Sequence, residues 1–268
     1  MSRRGKRRAA AFVARTSAPA PLDALAARVV DRARDRFDRL DALRGVAIVW
    51  MAAFHFSFDL NHFRFIQQDF YRDPVWTVQR SCIVTLFMFC VGAGQGIAVA
   101  QGQSARRFWT RWAQVAGCAV LVSIGSWLMF PKSFISFGVL HGIAAILVVA
   151  RFTTSWGAWR WPLGLVAIAL PHFVADPFFD TRWTNWVGLV TAKPVTEDYA
   201  PILPWLGVVW WGAASADWLL RERARVLTGP LLTAARPLAV LGRWSLSFYM
   251  LHQPVLIGLV WLAAATRH

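Results

Sequence analysis

Two side chains that could move a proton lie in the first long apolar segment of the chain. His55 and Asp59 are four residues apart, so a helix would place them on one face. A carboxylate beside an imidazole can hold one tautomer and stabilise the protonated ring, as a general base requires. Ionisable side chains within an apolar span are costly, which makes this pair a candidate site. The alternative is a buried histidine that a neighbouring helix satisfies.

Two further histidines lie in later apolar segments. His141 begins one of them, and His252 lies within the last. With the topology derived below, both fall in the outer half of the membrane or near its midplane, as His55 does. We therefore expect His55, Asp59, His141 and His252 to line one cavity that opens away from the cytoplasm. Alternatively, such groups gather near the membrane surface because they cost little there.

A second polar group marks the opposite ends of the same segments. Asp41 and Arg44 are three residues apart at the start of the first segment, and Arg243 stands near the start of the last. A guanidinium matches phosphate geometry through paired N–H donors, so this end of the bundle could hold a phosphate-bearing ligand. The alternative is that these residues anchor helix ends at the lipid headgroups.

The composition indicates that lipid surrounds most of the chain. Of the 268 residues, 57% are apolar and 16% are charged, whereas a soluble domain has about a quarter charged residues. The net charge of +15 sits at the ends of apolar segments, which argues against nucleic acid as a partner. The three cysteines lack metal-ligand spacing, so we expect reduced thiols and no metal.

The apolar segments predict an all-α integral membrane protein with about seven transmembrane helices. Each is near the roughly 20 residues that cross a bilayer, although the fourth and fifth are short. One long polar loop, 176–201, separates the fifth and sixth segments. The predicted spans are 43–62, 78–100, 112–130, 136–150, 160–175, 202–220 and 240–264.

The positions of the basic residues predict the orientation. Lys and Arg that flank membrane spans accumulate on the cytoplasmic side. With seven spans and a cytoplasmic N-terminus, the large majority of the 29 basic residues face the cytoplasm, and the C-terminus lies outside. An even number of spans would spoil this asymmetry.

The N-terminal residues precede the first span and have a different pattern. Residues 1–20 are basic and lack the apolar core of a signal peptide, so we expect a retained, disordered tail. Residues 21–40 have apolar residues at helical spacing and arginines on the remaining face, which indicates an amphipathic helix at the membrane surface. A solvated helix of a soluble domain is the alternative. The helical membrane domain then covers residues 41–268.

Four segments, in this order, resemble a known family. They are LDALRGVAIVWMAAFHFSFDL from Leu40, FGVLHGIA at 137–144, DYAPILPWLGVVWWG at 198–212 and LGRWSLSFYMLHQPVL at 241–256. Over residues 38–263 the chain resembles the bacterial membrane family related to the catalytic domain of heparan-alpha-glucosaminide N-acetyltransferase, a transmembrane acyltransferase. The lysosomal members usually have asparagine where His55 stands, and they carry a Gly-rich stretch that this chain lacks.

The resemblance implies transfer of an acetyl group from acetyl-CoA to an amino sugar or other glycan acceptor on the far side of a bacterial inner (cytoplasmic) membrane. The implied partners are the acyl donor, the acceptor and the lipid bilayer, and a homo-oligomer is compatible with them. We expect catalytic roles for His55, Asp59, His141 and His252, and donor binding by Asp41, Arg44 and Arg243. The residues that carry over from the family pattern are Asp41, Arg44, Gly45, His55, Asp59, His141, Pro204 and His252.

Other functions remain open from the sequence. Direct attack by the acceptor and a covalent acetyl-histidine are both compatible with His55 as the reacting residue. A proton-coupled transporter could use the same His and Asp residues as a proton relay, although the chain has no internal repeat. A structural protein without turnover would leave the His55 and Asp59 pair unexplained. Longer, ten-span acyltransferases with a similar first helix rank second as a family.

Overall fold

The protein is all-helical over the residues that its computed structural model describes, 37–196 and 198–266. Five short helical turns connect the longer helices, and no strand occurs within these residues. The all-α class predicted from the sequence is therefore confirmed. The helices are α1 Asp38–His62, α2 Pro74–Ala100, α3 Ala105–Met129, α4 Val139–Phe152, α5 Arg160–Ala169, α6 Ile202–Glu222, α7 Ala224–Thr228, α8 Arg236–Arg243 and α9 Ser245–Ala265.

Side-chain caps fix where two of the long helices begin. The Asp73 carboxylate accepts a hydrogen bond from the Val75 N–H at 2.8 Å, and Pro74 occupies the first turn of α2, where no amide hydrogen is needed. The Ser104 hydroxyl accepts from the Arg107 N–H at the start of α3. These caps place the helix starts a few residues outside the apolar runs that the sequence shows.

The centre of the bundle is the close crossing of α2 and α6. Gly92 of α2 lies against the backbone carbonyl of Val209, and Gly212 of α6 lies against that of Phe89. A side chain at either glycine would collide with the opposing backbone, so the absence of a Cβ lets the two helices approach closely. The G-x-x-x-G of Gly92 and Gly96 thus serves helix packing.

A second glycine crossing joins α1 to α8. Gly45 lies against the Leu238 carbonyl, and Gly242 lies against the Asp41 carbonyl. This contact holds the start of α1 beside the end of α8, immediately before α9 begins at Ser245. Since α1 also packs on α2 and α9, it carries side chains that face both helices.

A sharp bend separates α4 from α5. The two segments Val139–Phe152 and Thr154–His172 meet at an angle of 103°. Gly157, in the intervening turn, has φ of +52°, in the left-handed region that side chains disfavour. Beyond the bend, the buried guanidinium of Arg160 forms an ion pair with Asp217 and so fixes α5 to α6.

Four described helices, α1, α2, α3 and α9, are long and apolar enough to cross a membrane, and the bent pair would make a fifth span. The predicted spans 136–150 and 160–175 correspond to this bent pair, and 202–220 corresponds to α6. The span count of about seven and the cytoplasmic N-terminus stay predictions.

The predictions for the N-terminal residues 1–40 fall mostly outside the described part of the chain. The basic tail 1–20 lies outside the described residues, as does most of the amphipathic segment 21–40. Only the last residues of that segment are described, and Asp38 to Leu40 form the first turn of α1.

Candidate functional site

Two of the predicted catalytic histidines meet in the bundle. The imidazole of His55, from α1, contacts that of His252, from α9, edge to face, with the ring centroids 5.2 Å apart. Phe248, one turn before His252, stacks on its ring with an interplanar angle of 9°. Phe54 contacts the His55 ring at 5.9 Å. Aromatic neighbours therefore restrict the rotation of both imidazoles.

A backbone hydrogen bond selects the tautomer of His252. Its Nδ1 lies 2.8 Å from the carbonyl oxygen of Tyr249, which can only accept, so Nδ1 carries the hydrogen of the neutral ring. The Nε2 atom then holds a lone pair. This atom is buried and has no hydrogen-bond partner within the described chain. A fixed imidazole with an unengaged lone pair can accept a hydrogen bond from a ligand.

Asp59 bonds to a residue that the sequence analysis did not select. Its Oδ1 accepts a hydrogen bond of 2.8 Å from Gln253 Nε2, and its side chain is buried, with 3% exposure. Gln253 directly follows His252 in α9. The structure thus places Asp59 close to the histidine pair, but its hydrogen bond runs across to α9 and not along α1 to His55.

The cluster formed by Asp59, His252 and Gln253 is rich in unpaired acceptors. Within the described residues, six buried side-chain N or O atoms lack a hydrogen-bond partner, and three of these belong to the cluster: Asp59 Oδ2, His252 Nε2 and Gln253 Oε1. Each unmade bond of a buried polar group costs free energy of the order of 1–3 kcal/mol. Three such atoms on neighbouring residues, one of which contacts His55, therefore suit a ligand that supplies N–H or O–H donors.

A half-buried carboxylate of the polar loop, Asp198, connects to this cluster through Tyr249. Asp198 Oδ2 accepts from the Val139 N–H at 2.7 Å, which caps α4 where Gly138 has no side chain to do so. The Tyr249 hydroxyl donates to the same oxygen at 3.4 Å. Burial raises the pKa of the Asp198 carboxyl, against the lowering effect of the Val139 hydrogen bond. Asp198 thus ties the loop and α4 to the residue whose carbonyl orients His252.

His141 has its own hydrogen bonds. The Gly138 N–H donates to its Nδ1 at 3.3 Å, so Nε2 carries the hydrogen and donates to Ser123 Oγ at 3.1 Å. The Ser123 hydroxyl in turn donates to the Ile135 carbonyl at 2.6 Å. With both ring nitrogens engaged, neutral His141 has no unengaged lone pair. Its connection to His252 passes through Gly138, Asp198 and Tyr249, and its catalytic role stays a prediction.

The three residues predicted to bind the donor meet at the other end of α1. Arg44 Nη1 donates to Asp41 Oδ1 at 2.8 Å, and Arg243 Nε lies 3.7 Å from Asp41 Oδ2. Arg243 Nη2 also donates to Asp38 Oδ1 at 2.6 Å. Both guanidinium groups remain partly exposed and keep further N–H donors. Their role in binding a ligand stays a prediction.

One face of α1 carries both polar groups. Arg44 and His55 are separated by about three helical turns, or about 16 Å, and point in nearly the same direction. Ile48 and Met51 lie between them and are buried. An apolar layer of the core therefore separates the arginine end of the bundle from the acceptor-rich cluster.

Sequence reasoning missed Gln253, Tyr249 and Asp198. Gln253 offered a signal, because a polar amide within an apolar span is costly and therefore informative. Asp198 and Tyr249 were present in the quoted segments, but their spacing alone does not indicate that they pair. Only the arrangement of the loop over α9 shows their relationship.

One of three comparisons with known proteins gave a match. A family model described as "Heparan-alpha-glucosaminide N-acetyltransferase, catalytic" matches residues 36–254, which contain every residue of the two polar groups. Neither the comparison with curated proteins nor that with solved structures gave a match. The match covers most of the chain and confirms the predicted relationship. The chain therefore belongs to the heparan-alpha-glucosaminide N-acetyltransferase catalytic family, whose members are membrane acyltransferases in general.

Proposed function

We propose that this protein transfers an acetyl group from acetyl-CoA to an amino sugar or other glycan acceptor at the extracytoplasmic face of a bacterial inner membrane, with His55 as the general base. Family membership supports acyl transfer by a membrane protein. The observation that carries the proposal further is the set of three unpaired acceptor atoms beside His55.

These acceptor atoms fit a ligand that bears several polar hydrogens. The several hydroxyls and the amine of one amino sugar can together donate to Asp59 Oδ2, Gln253 Oε1 and His252 Nε2, because these groups lie close together on a pyranose ring. Such bonds remove the free-energy cost of the unpaired atoms, so they favour binding more than they would in water. Asp59 also supplies a negative charge for an ammonium group.

The base chemistry rests on the contact between the two histidines. Acetyl-CoA, when bound, supplies the activated thioester carbonyl. His55 takes the proton from the acceptor N–H or O–H while the nitrogen or oxygen attacks that carbonyl. The C–S bond of the thioester then breaks, and the departing CoA sulfur takes the proton back from the His55 imidazolium and leaves as the thiol. His252 stays neutral. Its lone pair therefore stabilises the imidazolium of His55. The aromatic neighbours exclude water from the two rings.

The donor approaches from the arginine end. The phosphates of CoA are polyanionic, and Arg44 and Arg243 offer partly exposed guanidinium donors beside the start of α1. The distance between Arg44 and His55 along one face of α1 suits a donor whose reacting group lies at the end of a long, linear arm. The buried layer at Ile48 and Met51 has to open for that arm.

Asp59 provides the test of acceptor binding. In purified protein, Asp59→Asn should raise KM for an amino-sugar acceptor more than it lowers kcat, because the amide keeps one acceptor but loses the charge. Ser57→Ala is the matched control on the same helix, since the Ser57 hydroxyl donates only to the Ala53 carbonyl. Acetyl transfer is measured with radiolabelled acetyl-CoA, normalised to folded protein. Equal KM values in the parent and Asp59→Asn would contradict acceptor binding at this cluster.

A further inference from the structure

Gln95 of α2 is a buried polar side chain that the proposed chemistry does not use. Its side chain is 6% exposed, and its Nε2 has no hydrogen-bond partner within the described residues. Removing an amide from water without a hydrogen bond is unfavourable, and the surrounding positions of α2 are apolar or glycine. The bundle therefore keeps a destabilising group at this position.

The neighbours of Gln95 show which part of the bundle it faces. The adjacent Gly94 lies beside the guanidinium of Arg44, where a Cβ would come within 3.2 Å of Arg44 Nη2. Met88, two turns before Gln95 on the same face of α2, reaches toward Gly142 of α4. Gln95 thus lies at the side of α2 between α1 and α4, at the level of Arg44.

The earlier part of α2 lies beside the His55 part of α1, where Trp50 Nε1 donates to Gln79 Oε1. Because helical side chains tilt toward the N-terminus of their helix, the Gln95 carboxamide is directed from the arginine end toward the level of His55.

We propose that the Gln95 carboxamide binds an amide of the pantetheine arm of the acyl donor. This inference rests on the proposed function, because it takes the phosphates to be held at Arg44. The arm leaves the phosphates toward His55, so its amides pass the level at which Gln95 stands. A carboxamide has one donor and one acceptor end and matches the C=O and N–H of a second amide. The arm also supplies the hydrogen-bond partner that Gln95 lacks in the free protein.

The proposal predicts opposite effects on stability and on binding. Gln95→Met keeps the volume of the side chain and removes the unpaired amide, so the ligand-free variant should melt at the same temperature as the parent or higher. Its affinity for CoA should fall about tenfold, as expected for the loss of a buried hydrogen bond. A residue that only stabilises the fold would show the reverse pattern.

Two probes separate the arm from the phosphates. Binding of CoA and of adenosine 3′,5′-bisphosphate, which lacks the arm, is measured by calorimetry on full-length protein in nanodiscs. Gln95→Met should lose affinity for CoA and keep that for the bisphosphate, whereas Arg44→Lys should lose affinity for both. Gln79→Met is the matched control on α2. Gln79 Oε1 accepts from Trp50 Nε1 at 3.2 Å near the outer end of the helix, so CoA affinity should not change.

Several outcomes would overturn the proposal. Unchanged CoA affinity in Gln95→Met, or equal losses for both probes, would remove Gln95 from the arm site. Loss of the fold in both Gln95→Met and Gln95→Leu would also contradict it, because an unpaired Nε2 has no stabilising bond to lose. A parent protein that binds neither probe would overturn the proposed function together with this inference, whereas a Gln95-specific failure leaves the proposed function intact.

Discussion

The imidazoles of His55 and His252 stand edge to face at 5.2 Å, although the two residues lie on the first and last helices of the described bundle. Two positive charges this close would repel each other strongly in a medium of low dielectric constant. The pair therefore holds one proton at most under ordinary conditions. One ring can accept a proton while the other remains a neutral neighbour, which is the division of roles proposed for acyl transfer.

The orientation can be tested with terminal reporters. We expect Ser2 to lie in the cytoplasm and His268 outside it, because most basic residues then flank the cytoplasmic ends of the spans. A reporter that is active only outside the cytoplasm should give a signal when fused after His268 and none when fused before Ser2. Signals from both fusions, or from neither, would exclude an odd number of spans.

The glycine crossing of α1 and α8 should be essential for folding. Gly242→Ala places a methyl group against the Asp41 carbonyl, so we expect a loss of about 3 kcal/mol in the free energy of unfolding. Gly117→Ala in α3 is the matched control, because nothing lies within 4 Å of the added carbon. Alanine favours a helix interior over glycine, so this variant should gain up to about 1 kcal/mol. Equal stabilities of both variants would contradict the close crossing.

Two carboxylates of the polar loop 176–201 should give opposite pH effects on stability. Burial raises the pKa of Asp198 above 3.8, so its contribution to stability is present below pH 3.8 and is lost as pH rises through the raised value. Hydrogen bonds from Thr191 lower the pKa of Asp180, so its contribution is present above pH 3.8 and is lost as pH falls. Unfolding is measured across this range.

The matched variants give the sign of each effect. Asp198→Asn keeps an oxygen for the Val139 N–H but cannot ionise, so the stability lost by the parent at rising pH should be retained. Asp180→Asn should weaken the dependence of stability on pH in the acidic range. The same pH curve for the parent and Asp198→Asn would contradict the burial of that carboxylate.

The sequence predicted the helices better than the side-chain contacts between them. Periodicity placed His55 and Asp59 on one face of α1, as the helix has them, but it could not show that α9 presents Gln253 to Asp59. Asp41 and Arg44 were selected as a pair three residues apart, and Arg243 was selected from its position near the start of the last segment. The contact of Arg243 with Asp41 depends on the crossing at Gly45 and Gly242, which is a long-range relationship.

The span boundaries also depend on contacts that the sequence alone does not show. The segments 136–150 and 160–175 are apolar enough to be predicted as two spans, but α4 and α5 are too short to qualify separately. Gly157 and the ion pair between Arg160 and Asp217 fix their bend, and hydropathy does not record either feature. Asp198 was placed in a polar loop, where its burial against Val139 and Tyr249 could not be predicted.

Arg44 should bind the phosphates through paired donors and not through charge alone. Arg44→Lys keeps a positive charge beside Asp41 but loses the planar guanidinium, so CoA affinity should fall about tenfold or more. Arg106→Lys is the control, because Arg106 is exposed at the start of α3 and makes no contact with Asp41, Arg44 or Arg243 within the described residues. Isothermal titration of CoA into each protein measures the difference. Equal affinities in Arg44→Lys and the parent would limit Arg44 to anchoring α1.

His55 carries the central claim, and acetyl transfer from acetyl-CoA to a panel of amino sugars tests it most directly. A general base commonly contributes about 10²–10⁴ in rate, so His55→Ala should lower kcat by that factor while the protein stays folded. His62→Ala, an exposed histidine near the end of the same helix, should leave kcat unchanged. Parent-like turnover per folded molecule in His55→Ala would contradict His55 as the base, and no turnover by the parent with any acceptor would contradict acyl transfer itself.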